Sequence, residues 1–160
     1  VSGGELRYSI DTSALLDGWV RYYPPDVFPG LWQQLDGVIT EGRLIATEEV
    51  LFELERKDDT VYAWAKERRS MFIPIDDRIQ PRVTDVLDRF EKLLDTRANR
   101  SGGDPFVIAL AMVEGCTVVS GERATGATNR PNIPDVCSEL SVPCITLLQL
   151  IRNEGWVFTR

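Results

Sequence analysis

The chain has 160 residues, 43% hydrophobic and 27% charged, enough for one globular domain (1–160) with a single sizeable core and too little for two. Its net charge of -7 removes the electrostatic case for nonspecific nucleic-acid binding, although clustered acids that hold a divalent cation would themselves lower the count. With no histidine, a Ser-His triad, an imidazole-dependent ribonuclease and a His-ligated zinc site are excluded, so any chemistry falls to carboxylates, Lys, Cys, Tyr or a metal.

In chain order, Arg7–Ile10 is a short apolar strand that ends on Asp11, and Thr12-Ser13 opens a helix expected to run to about Tyr22 before Pro24-Pro25 breaks it. Phe28, Leu31, Leu35 and Val38-Ile39 have helical spacing within 26–42, with Gly42 as the stop. Leu44–Ala46 is a buried strand, and Thr47 is placed to cap a helix with Val50, Leu51 and Leu54 on its apolar face. A short helix over Val61–Arg69 carries Trp64. Phe72-Ile73 is a further strand, and Asp76-Asp77 opens a long helix whose Ile79, Val83, Val86-Leu87, Phe90 and Leu93-Leu94 repeat near 3.6 residues.

Residues 98–103 form a polar loop, followed by a helix over Phe106–Glu114 that is apolar almost all round and therefore buried. Thr117–Val119 is a strand, 120–134 a long Gly/Asn/Pro-containing loop, Asp135–Leu140 a short helix, Cys144-Ile145 a last strand and Leu147–Asn153 a last helix. This alternation predicts an α/β fold with a central parallel sheet and helices on both faces, a three-layer α/β/α sandwich.

No apolar run reaches the roughly 18 to 20 residues of a membrane span. Residues 1–5 lack a basic-then-apolar signal pattern, so a cytoplasmic protein is expected. Cys116, Cys137 and Cys144, without CxxC or Cys/His spacing, argue against a disulfide framework and against structural zinc.

The informative residues are acids at element boundaries. Asp11 follows the first strand, Glu49 and Glu53 lie one helical turn apart, Asp104 directly precedes a helix, Glu122 follows the strand 117–119, and Asp135 follows the long loop. Each has a simpler role. Asp104-Pro105 is a favoured helix start, Asp11 is suited to capping the helix after it, and Glu53 is spaced to pair with Lys57 on a solvated face.

Together the acids say more, because in a parallel sheet the strand ends and the starts of the following helices face one rim, where Asp11, Asp104 and Glu122 would converge. Oxygen-only donors without His or Cys favour Mg²⁺ or Mn²⁺, a choice suited to phosphoryl chemistry. Arg123, Thr125, Asn129 and Arg130 lie in the loop beyond Glu122, where they would meet phosphates or simply be solvated. Trp32 and Trp64 have the chemistry to stack on bases, yet on amphipathic helices such residues are usually core.

Other phosphate chemistries fit poorly. The first strand is followed by Asp-Thr-Ser and not GxGxxG, and Gly121–Gly126 continues with Ala127-Thr128, unlike a P-loop. A haloacid dehalogenase-type phosphatase would carry an acid where Ser13 stands, and a receiver domain an acid pair where Ser9-Ile10 stands.

The segments Ile10–Leu16, Val50–Leu54 and Gly103–Ala109, in that order, resemble the PIN domain, a metal-dependent nuclease fold that includes VapC-type toxins of toxin–antitoxin pairs. The resemblance spans nearly the whole chain and implies a PIN-like, Rossmann-like fold. It carries Asp11, Glu53 and Asp104 over as metal-binding acids. The fourth acidic position, usually an Asp after the next strand, falls on Glu122, with Asp135 competing for it. Ser13 matches a small polar position beside the first acid, where it would orient water or merely start the helix. The implied activity is Mg²⁺- or Mn²⁺-dependent hydrolysis of RNA, by a toxin paired with a small antitoxin and capable of forming a homodimer. The alternative is a PIN-like binding or assembly module without turnover.

Overall fold

The computed structural model describes residues 6–90, 104–126 and 131–159, with Asp104 described by its backbone alone. Five parallel strands lie in the order β3-β2-β1-β4-β5: β1 (Tyr8–Ile10), β2 (Leu44–Thr47), β3 (Phe72–Ile73), β4 (Thr117–Val119) and β5 (Cys144–Ile145). Tyr8 pairs with Leu44 on one side and Thr117 on the other. The central strands are covered on both faces, which is why β1 and β2 are buried throughout, including the polar Ser9 and Thr47.

Helices α1 (Thr12–Leu16), α2 (Pro29–Thr40), α3 (Glu48–Lys57) and α4 (Asp59–Lys66) serve the steps from β1 to β2 to β3. Helices α5 (Ile79–Arg89) and α6 (Asp104–Glu114) serve the return to β4, and α7 (Ile133–Leu140) leads to β5, with α8 (Leu147–Asn153) after it. The first two steps move outward one way and the later ones the other. Right-handed crossovers then place the two helix sets on opposite faces, so the architecture is a three-layer α/β/α sandwich of Rossmann-like type. The strand order reverses between β1 and β4, and such folds hold ligands at the carboxyl ends of the strands at that point.

Several boundaries depart from the sequence expectation. The first helix is α-helical only to Leu16; Asp17–Tyr22 is a π-helical turn, closed by the Tyr23 amide donating to the Gly18 carbonyl at 2.8 Å. A Cβ on Gly18 would lie 2.7 Å from Leu147 Cδ2, so a larger residue here would have to push that side chain aside. The second helix begins at Pro29, a favoured first position, and not at Asp26. The short fourth helix starts two residues early because the Asp58 carboxylate caps the amides of Thr60 and Val61. Thr47 occupies the N-cap position of α3, but its hydroxyl makes no capping bond. Leu93-Leu94 and the loop 98–103 lie outside the described residues.

Trp32 and Trp64 are core. They are 5% and 8% exposed, their rings meet edge to face at 5.3 Å, and Trp19 closes on Trp32 at 4.9 Å, which leaves Trp32 and Trp64 no open face for a base. Cys116, Cys137 and Cys144 are free thiols. Among the described residues no helix is long and apolar enough to cross a membrane.

Candidate functional site

Asp11 leaves the carboxyl end of β1 and is the N-cap of α1, so cap and site coincide in one residue. Its side chain is 2% exposed. The Ala14 amide donates to Oδ1 at 2.8 Å, the Ser13 hydroxyl lies 2.8 Å from both oxygens, and the Ser120 hydroxyl donates to Oδ2 at 2.7 Å. Burial pushes the Asp11 carboxyl up to about 7, against the downward pull of the bonds from Ala14, Ser120 and Ser13 and with a further push from the charge of Glu122. A carboxylate at this depth is costly, and three donors offset that cost only in part.

Glu53, on the second turn of α3, is also 2% exposed. The solvated pairing with Lys57 does not form a surface site for it, because the helix turns Glu53 inward. There it accepts the Thr12 hydroxyl at 3.0 Å, which brings it to the residue beside Asp11. Glu49, one turn earlier, is partly exposed; burial, Glu48 and Glu53 together raise its pKa.

Asp104 opens α6. The Ser9 hydroxyl donates to the Val107 carbonyl at 2.9 Å while Arg7 pairs with Glu114 at 3.5 Å, so α6 runs antiparallel to β1 and its first residue lies at the carboxyl edge that Asp11 occupies. The Asp104 side chain lies outside the described residues.

After β4, the chain turns back over α1. The Gly121 amide donates to the Ser13 hydroxyl at 2.9 Å and the Glu122 amide to the Ser120 hydroxyl at 3.0 Å. The half-buried Glu122 accepts the Ile133 amide at 2.9 Å at the start of α7, and its charge acts on Asp11.

Asp135 is committed elsewhere. It accepts the amides of Thr125, Gly126 and Asn132 and the Thr125 hydroxyl at 2.8 to 3.1 Å. Burial acts to raise its pKa, but the amide bonds outweigh it and hold the carboxyl below its usual value. Asp135 and Thr125 therefore brace their own loop. Arg123 is exposed and its carbonyl accepts the Asn132 side-chain amide at 2.8 Å. Asn129 and Arg130 lie outside the described residues.

Thr12, Asp17, Ser120 and Gly121 escaped the sequence expectation. Ser120 and Thr12 each follow a buried strand by one or two residues, a signal of position rather than residue type. Asp17 lines an open pocket of about 410 Å³ against Glu122 and Arg123.

The donor chemistry here suits a hard cation: two buried carboxylates and a third acid, with oxygen ligands alone. Among the described residues no three acids or thiols stand close enough together to hold a metal ion.

No curated protein matches the chain. A solved structure described as the crystal structure of PAE2754 from Pyrobaculum aerophilum is 16% identical, with 94% of this chain and 91% of that one covered and a TM-score of 0.44. The family model for a domain of unknown function, DUF4411, matches residues 8–158, nearly the whole chain, and this protein belongs to that family.

Proposed function

We propose that the chain is a PIN-like, Mg²⁺- or Mn²⁺-dependent endoribonuclease. The observation that carries the proposal is Asp11, a carboxylate 2% exposed at the switch point of the sheet, with the charge of Glu122 acting on it and a second buried acid, Glu53, bonded to the neighbouring Thr12. Asp11, Glu53 and Asp104 would hold the cation, with Glu122 as the fourth acid. When bound, the cation would supply Lewis acidity and an activated water, chemistry that otherwise calls for a histidine this chain lacks.

The protein's own part is positioning. Ser13, Ser120 and the Ala14 amide fix the Asp11 oxygens, Thr12 fixes Glu53, and Arg123 stands at the rim where a phosphate would pass. The resemblance further supports a toxin role with a small antitoxin partner, checked by whether a short reading frame adjoins the gene.

One observation favours a second reading, a binding or assembly module without turnover: both Asp11 oxygens already have protein donors. RNA cleavage with Mn²⁺ or Mg²⁺ separates the two. Wild type should cut and Asp104→Asn should not. Equal activity would sink the metal-site assignment, and inactivity on every RNA and DNA would favour the binding module.

A further inference from the structure

The pocket beside the acids has walls that the hydrolysis of a phosphodiester does not require. It is about 410 Å³, within the size range of small-molecule sites, and opens between the π-helical turn, the segment after β4 and the start of α8. Tyr22, 58% exposed, and Leu148, 43% exposed, give it apolar surface suited to a flat ring. Asp17, Glu122 and Arg123 all line this space; Glu122 is held by the Ile133 amide, and among the described residues Asp17 and Arg123 form no ion pair with each other. Among the described residues the Asp17 carboxylate has no hydrogen-bond or ion-pair partner. Its Oδ2 would clash with a Cβ on Gly121, so a glycine is what allows the carboxylate to lie against the β4 segment.

We propose that this pocket seats a guanine base, with Asp17 accepting from its Watson–Crick edge, Arg123 donating to its O6/N7 edge and Tyr22 and Leu148 packing on the ring. The matching is chemical. A carboxylate offers two parallel acceptors, and guanine alone among the four bases presents two adjacent donors, N1–H and the N2 amine. Adenine, cytosine and uracil each put a lone pair beside their donor, which would face the carboxylate unfavourably. Guanidinium is the commonest partner of guanine O6 and N7. Apolar walls alone would accept any base, so the charged pair supplies the selection. That the base belongs to an RNA strand rests on the nuclease proposal; the base recognition itself does not.

The test is equilibrium binding of 5′-mononucleotides in EDTA, followed by ligand-observed NMR and calorimetry. GMP should bind at least tenfold more tightly than AMP, CMP or UMP. IMP, which lacks only the N2 amine, should lose most of that advantage on the unaltered protein, so the comparison needs no variant to fold. Asp17→Asn should erase the GMP-over-IMP difference while leaving the far-ultraviolet circular dichroism unchanged. Equal binding of GMP and IMP, or no GMP binding in the millimolar range, overturns the proposal. RNA oligomers carrying a single guanine distinguish a strand from a free nucleotide, because a strand-borne base should fix the cut site relative to that guanine. Cleavage indifferent to guanine, with no preference for GMP, removes the pocket and leaves the nuclease. Selective GMP binding without cleavage of any RNA leaves the pocket and removes the nuclease.

Discussion

Asp11 is a carboxylate whose burial works against its ionisation. Its pKa rises from 3.8 to about 7, so its contribution to stability is fully present below pH 4 and is lost as pH rises through 7. The gap between those values corresponds to roughly 4 kcal/mol. Urea unfolding in EDTA should therefore show a less stable protein at pH 8 than at pH 5, and Asp11→Asn should flatten that slope. A wild-type profile without the slope would remove the argument. Ser120 bears on the same charge from across the switch point. Ser120→Ala should cost about 1.5–3 kcal/mol at pH 8, the usual worth of a hydrogen bond to a charged group, and less at pH 5.

At the scale of elements, the site depends on how closely the β4 segment passes α1. A Cβ on Gly121 would clash with Asp17 Oδ2 and meet the Ser13 carbonyl at 3.1 Å, one contact to a movable side chain and one to fixed backbone. Gly121→Ala should destabilise by about 1–3 kcal/mol. Adding Asp17→Ala should recover only part of that loss, because the backbone contact remains; full additivity of the two changes in thermal denaturation would contradict the close approach. Thr125, Gly126 and Asn132 have their own brace in Asp135, whose depressed pKa contributes stability that is full above the ordinary Asp value and is lost as pH falls from there through the depressed one. Asp135→Ala should expose these residues to limited proteolysis at pH 7 without changing the Asp11-dependent slope.

For the whole molecule, the opposite edge of the sheet is where the chain is tied together. Glu154 accepts Arg43 from two nitrogens at 2.8 and 3.1 Å and the Tyr8 hydroxyl at 2.6 Å, joining the end of α8 to the starts of β1 and β2. The Arg43 and Glu154 side chains are 11% and 5% exposed; without Glu154, Arg43 keeps the exposed Glu41 at 2.9 Å and the Leu6 carbonyl, so its charge is left only partly compensated. Because Glu41 still pairs with Arg43, Glu154→Ala should cost about 1.5–3 kcal/mol, and the double replacement Arg43→Met with Glu154→Leu should cost less than the single change. Calorimetry of the three proteins checks this; a double variant less stable than Glu154→Ala would overturn it. The network sits away from the carboxyl edge, which divides the molecule into a stabilising rim and a rim of partly compensated acids.

Apolar runs such as Tyr8–Ile10 and Leu44–Ala46, spaced by helical periodicity, were sufficient in the sequence to give the strands, their parallel arrangement and the layered fold, because strands buried on both faces need no partner-specific pattern. Asp11 and Glu122 were legible as acids at element ends, and Glu53 as one of two acids a turn apart on a helix. What they touch was not. Ser120 reaches Asp11 across 109 positions and Thr12 reaches Glu53 across 41, distances over which no local spacing carries information. Only the tertiary structure turned Glu53 inward, committed Asp135 to its loop and widened residues 17–22 into a π-helical turn. It also opened the pocket beside Asp17. Burial and hydrogen-bond partners come from packing between elements, and these decide whether a carboxylate is a cap, a brace or part of a site.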